Sequence, residues 1–161
     1  MKKIMEMLQN MKNRNEKKDN KGFSLVELII VIAIMAILVG VVGTQVLPYI
    51  DKSRHSKDVQ VLSGLCTDAT SAYSTTASEL ADAEYEIKID TTVTVTPKNG
   101  DTTGADKLKA AFAEYNGVTK VSDLKLESKD GKAVTEVKIV CKNTKPMVTV
   151  TAAGFDTIEA K

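Results

Sequence analysis

The chain has 161 residues, 22 Lys and Arg against 21 Asp and Glu, and a formal charge of +1. That length holds one domain plus a membrane segment, and the balance hides a division, since residues 1–22 carry +4 and residues 23–161 carry −3. An acidic remainder without a dense basic patch argues against nucleic acid as the main partner, and a chain with no Trp and few aromatics builds only a modest core.

Residues 1–20 are polar and rich in Lys, Asn and Met, and little order is expected there. A basic tail ahead of a hydrophobic run stays in the cytoplasm while the rest crosses the membrane. The run follows Lys21-Gly-Phe-Ser-Leu-Val-Glu-Leu28, and Leu28–Ile50 is uncharged throughout. As a helix those residues span about 34 Å, against roughly 30 Å of hydrocarbon. Glu27 stands near the start. A carboxylate costs roughly 2.5–3.5 kcal/mol at the centre of a membrane helix, so a chain that keeps one is expected to use it; the plainer reading is that Glu27 reaches the headgroups. Gly22 exposes its carbonyl to a protease, or is an ordinary loop glycine. Gly40, Gly43 and Pro48 weaken the second half of the run, Pro48 by removing a backbone donor.

After Pro48, Val59, Leu62, Cys66, Ala69 and Tyr73 recur at spacings of three and four, with Leu65 beside them, which predicts an amphipathic helix. One helix is therefore expected from about residue 23 to 77. Glu86–Thr96 alternates Ile87, Ile89, Val93 and Val95 with polar residues and reads as a strand. Ala105–Tyr115 reads as a short helix with Leu108, Ala111, Phe112 and Tyr115 on one face, ending at Asn116-Gly117. Val121–Ser128, a turn at Asp130-Gly131, and Val134–Lys142 read as a β-hairpin. Pro146–Thr151 makes a last strand. The predicted class is α+β: a long N-terminal helix, membrane-spanning in its first half and amphipathic in its second, packed against a small antiparallel sheet. The divisions are residues 1–22, 23–50 and 51–161.

Cys66 and Cys141 are able to form one disulfide linking helix to sheet, which the exported side allows. Their 75-residue separation would constrain the unfolded chain by roughly 4–5 kcal/mol; the alternative is two buried free thiols. His55, the only histidine, lies among polar residues and reads as a surface side chain. Asn99–Asp106 is rich in oxygen-bearing side chains but lacks the EF-hand spacing and its closing Glu, so it reads as a solvated loop and no metal site is predicted. No catalytic constellation or cofactor motif stands out, so an enzyme is not expected.

The segment Lys21-Gly-Phe-Ser-Leu-Val-Glu-Leu28 with its apolar continuation resembles the class III signal sequence of the type IV pilin superfamily, which includes pilins and the pseudopilins of type II secretion and competence. The resemblance covers residues 21 to about 50. It implies that a prepilin peptidase removes the leader after Gly22 on the cytoplasmic side and that Phe23 becomes N-methylated. Glu27 would pair with a Phe23 amine, its own or a neighbour's, to guide assembly. The helices would then leave the membrane and stack into a homo-oligomeric filament, driven by a membrane assembly platform and a cytoplasmic ATPase. Before assembly the chain would cross the cytoplasmic membrane once; afterwards it would lie in an extracellular pilus. Two departures stand out. A 22-residue leader is long for pilins that begin with Phe, and Thr44 occupies a position where many have a helix-breaking Pro. Gly40, Gly43 and Pro48 are expected to supply the flexibility instead.

A pilus subunit is thus the leading expectation, favoured by compact size and an intact Glu27. A type II secretion or competence pseudopilin is the alternative within the class. A membrane-anchored surface binding module, or one released by ordinary cleavage near Val41-Val42-Gly43, is the alternative outside it.

Overall fold

The computed structural model describes residues 2–15 and 23–160. It divides into two compact units, Met1–Gln45 and Val46–Lys161.

The first unit is helical. Helix α1 covers Lys2–Asn15, where little order was expected. Lys, Met, Glu, Leu and Gln fill its first two turns, and all are good helix formers. Helix α2 covers Leu25–Val41 and buries none of its residues. The helical backbone then changes pitch. Val42–Val46 forms a π-helical turn before α3 begins at Leu47, with Pro48 in the first turn of α3. The cause is local: Pro48 has no N–H for the Thr44 carbonyl, and its ring crowds that group in a regular α-helix. The Thr44 hydroxyl donates to Gly40 O at 3.1 Å and Val41 O at 3.4 Å. Gly40 and Gly43 meet no atom within 4 Å where a Cβ would lie.

The second unit is α+β. Helix α3, Leu47–Thr76, runs into a 3-10 turn at Ala77–Glu79. It buries Leu62, Leu65, Cys66, Ala69, Ala72 and Tyr73: of the stripe expected from the sequence Val59 is only half-buried, and Ala72 is added. Helix α4, Thr102–Asn116, starts on Asp101, whose carboxylate accepts the Gly104 N–H at 3.0 Å. It ends at Gly117, whose φ of 64° suits a residue without a Cβ. Leu108 and Phe112 are buried, but Tyr115, expected on the same face, is 47% exposed. Both α3 and α4 pack on a five-stranded antiparallel sheet in the order β2-β1-β3-β4-β5. The strands are β1 Glu84–Ile89, β2 Val93–Pro97, β3 Val137–Lys142, β4 Val148–Ala152 and β5 Ile158–Glu159. Tyr85, Ile87 and Ile89 of β1, Val137, Ile139 and Cys141 of β3, and Val148 and Val150 of β4 alternate inward.

Several expectations are corrected here. Glu86–Thr96 is not one strand but two, pairing Ile87 with Val95 around a turn at Asp90–Thr92. Asp90 makes that turn by accepting the Thr92 N–H at 3.0 Å. The hairpin expected over residues 121–142 does not form. Val121–Leu124 is a 3-10 turn and Lys129–Ala133 is the short helix α5, so only β3 remains. The reason lies far away in sequence. Asp58 of α3 is 2% exposed and accepts the backbone N–H groups of Glu127 and Ser128, each at 2.9 Å, and the Ser128 hydroxyl. The same hydroxyl accepts the Gly131 N–H and caps α5. Asp51 accepts the Lys129 N–H at 2.9 Å. His55 stacks on Phe155, centroids 4.6 Å apart, with Nδ1 3.4 Å from an Asp130 oxygen. Segment 127–131 is thus held to α3 rather than to a strand.

Candidate processing and assembly site

The expected cut after Gly22 lies outside the described residues, but its downstream side is defined. Phe23 is 89% exposed. Ser24 has extended backbone (φ −62°, ψ 141°) and caps α2, its hydroxyl accepting the Val26 N–H at 3.3 Å. Glu27 turns back and accepts the Ser24 N–H at 2.9 Å, while the Leu28 N–H donates to Ser24 O at 3.1 Å. This is a reciprocal capping box, which supplies acceptors for donors that the first helical turn leaves unpaired. Phe23, Leu28, Ile30 and Val31 form an apolar surface around the carboxylate. The structure therefore brings Phe23 and Glu27 together at one end of α2 and shows the carboxylate engaged with its own chain.

Beyond Glu27 the surface is uniform. From Leu28 to Ile50 every residue is exposed. Among the described residues one helical run, Leu25–Glu79, is long and apolar enough to cross a membrane. Gly40, Gly43 and Pro48 flank or enter the π-helical turn.

The two cysteines are both buried in the core and stand there as free thiols. Cys66 Sγ lies 3.9 Å from Val148 O, which gives the thiol a weak acceptor. Burial raises both thiols above their ordinary pKa, Cys141 to about 12 with the neighbouring Cys66 adding to it.

His55 is half-buried rather than loose on the surface. The Asn99–Asp106 segment, expected as a solvated loop, enters α4 at Thr102 and is organised by protein donors: Asp101 receives the Ala81 N–H at 2.9 Å, the Gly104 N–H and the Tyr85 hydroxyl. Among the described residues no group of three His, Cys, Asp or Glu is arranged to hold a metal ion. The capping role of Ser24 was not anticipated, although Ser-x-x-Glu ahead of an apolar run is its sequence signature.

Residues 17–43 match the family described as the prokaryotic N-terminal methylation motif. The chain therefore carries the class III signal characteristic of type IV pilins and pseudopilins. No curated protein and no solved structure matches the chain significantly.

Proposed function

We propose that this chain is the precursor of a type IV pilus subunit, cleaved after Gly22, N-methylated at Phe23 and polymerised through its hydrophobic helix into a surface filament. The motif implies a pilin-like precursor, processing by a prepilin peptidase and assembly into a multisubunit filament. The observation that carries the finer reading is the pairing of two features at one helix. A single carboxylate, Glu27, stands at the mouth of a 23-residue uncharged stretch, Leu28–Ile50, every residue of which is exposed. Lipid covers that surface first, and neighbouring copies of the same helix cover it in the filament. Glu27 then guides docking, because an unpaired carboxylate in a helix bundle is costly and a neighbour's Phe23 amine within reach relieves it.

The test is N-terminal analysis of the mature protein together with electron microscopy and mass spectrometry of sheared surface fibres. A chain beginning at methylated Phe23 that forms the main component of the fibres supports the reading. Mature chains that begin at Met1 or Thr44 reject it. Correct processing with no surface fibre, in cells secreting or taking up macromolecules, points to the pseudopilin alternative.

A further inference from the structure

We infer that α1 is an interfacial anchor: before cleavage it lies on the anionic cytoplasmic leaflet, apolar face down, and holds the scissile segment at headgroup depth. The inference rests on the reading of Leu28–Ile50 as a membrane helix.

Three observations carry it. The first is the two-sidedness of the helix. Over residues 2–9, at about 100° per residue, Ile4, Met5, Met7 and Leu8 fall within an arc of about 160°, and Lys2, Lys3, Glu6 and Gln9 within about 120° on the other side, a division that Lys12 and Asn15 do not continue. The four apolar side chains are 61–74% exposed, so none of the described residues covers them. The second is charge. Residues 1–22 carry +4, with Lys2 and Lys3 on the polar side of the helix. Lysines rimming an apolar face suit a surface of acidic headgroups, and each basic residue near such a surface adds to binding.

The third observation is reach. Asn15 ends α1 and Leu25 begins α2. Ten residues of chain extend at most about 36 Å. With α2 in the bilayer, α1 is tethered within that distance of the headgroups, so its local concentration at the leaflet is high. Fourteen helical residues reach about 21 Å, too short to cross about 30 Å of hydrocarbon, so the helix lies on the membrane and does not span it. One anchor then stands on each side of the scissile bond. Cleavage separates the anchors.

The chain contains no Trp, so single-Trp variants of the full precursor report depth without background. Leu8→Trp, Gln9→Trp and Ile34→Trp are reconstituted separately in vesicles of phosphatidylcholine, with or without phosphatidylglycerol, and tested for quenching by brominated acyl chains. The expected result is a blue-shifted, quenched Leu8→Trp in phosphatidylglycerol vesicles, a water-like Gln9→Trp, and a quenched Ile34→Trp in both lipids. Lys2→Glu with Lys3→Glu should remove the Leu8→Trp response and leave Ile34→Trp unchanged. A water-like Leu8→Trp beside a quenched Ile34→Trp overturns the interfacial anchor alone. An unquenched Ile34→Trp overturns the membrane-helix reading instead. Equal quenching of Leu8→Trp in pure phosphatidylcholine overturns the role of anionic lipid. A blue shift that grows with protein density and ignores brominated lipid means that a second copy covers the face, and it also overturns the inference.

Discussion

Asp58 and Ser128 lie 70 positions apart in the chain and meet in the core, the carboxylate of one accepting both the N–H and the hydroxyl of the other. Burial raises the pKa of Asp58, but the Ser128 hydroxyl, the Glu127 and Ser128 N–H groups and the nearby His55 hold the carboxyl below the usual range. The contact ties the N-terminal half of α3 to the segment that leads into the central strand β3.

Replacing Asp58 with Asn turns an acceptor toward donors into a group that itself donates. Asp58→Asn should lose about 2–3 kcal/mol at neutral pH, measured by thermal or urea unfolding of the detergent-solubilised chain. The pH dependence has a definite sign. A depressed folded pKa stabilises above the unfolded value of about 3.9 and is lost as the pH falls through the folded one. The wild type should therefore weaken more steeply than Asp58→Asn between about pH 5 and pH 2. Parallel curves would show that Asp58 is not the charged acceptor.

Gly131 is the companion test. A Cβ there would lie 2.2 Å from an Asp58 oxygen and 2.7 Å from the Leu126 Cβ. Gly131→Ala should cost about 1–3 kcal/mol, and its effect should shrink in the Asp58→Asn background, where the carboxylate contact is already weakened. Strict additivity in a double-mutant cycle would separate the two residues.

The Tyr85 phenol is pushed up to about 12 by burial and by its hydrogen bond to Asp101, while its oxygen accepts the Asp82 N–H at 2.9 Å. Tyr85→Phe should destabilise the fold by about 1–2 kcal/mol. Because the folded pKa is raised, the stabilisation is complete below the unfolded value of about 10 and disappears as the pH climbs beyond it. The gap between wild type and Tyr85→Phe should close from about pH 10 upward, read by unfolding midpoints in alkaline buffers.

Cys66 and Cys141 should resist alkylation in the folded chain and both react after denaturation without reductant, since neither exposes a thiolate at neutral pH. Mass spectrometry counts the adducts. A denatured chain that takes no reagent until reduced would establish the disulfide instead.

Glu27→Ala should leave cleavage and the fold of residues 46–161 intact while abolishing fibres, scored by circular dichroism, N-terminal sequencing and microscopy. Normal fibres from that variant would remove Glu27 from the assembly step.

The sequence displays what is contiguous and hides what is not. The signal at Lys21–Leu28, the apolar run and the α3 stripe are local patterns, and each is present where periodicity and composition put it. The β1–β2 turn escaped because Ile89 and Val93 are four apart. An even gap preserves the alternation of a single strand while the chain reverses direction. Segment 121–134 misled for another reason: its conformation is imposed by Asp58 and Asp51 on α3, whose polar character suggests only a solvated helix start. Of the assembly site, Phe23 and Glu27 were legible as a pair, but the intrachain bond from Ser24 to Glu27 depends on how the helix begins.

That bond has a consequence for timing. Glu27 Oε2 already holds the Ser24 N–H, so a further group that pairs with the carboxylate takes its second oxygen or shares the first. An uncut chain offers only an amide at Phe23, which carries no charge and competes poorly, whereas a freed amine competes with its full positive charge. Under the proposed function, peptide cleavage would act as a licence: one covalent event would decide which subunits are able to bid for a neighbour's carboxylate, and unprocessed chains would be turned away without a separate checkpoint.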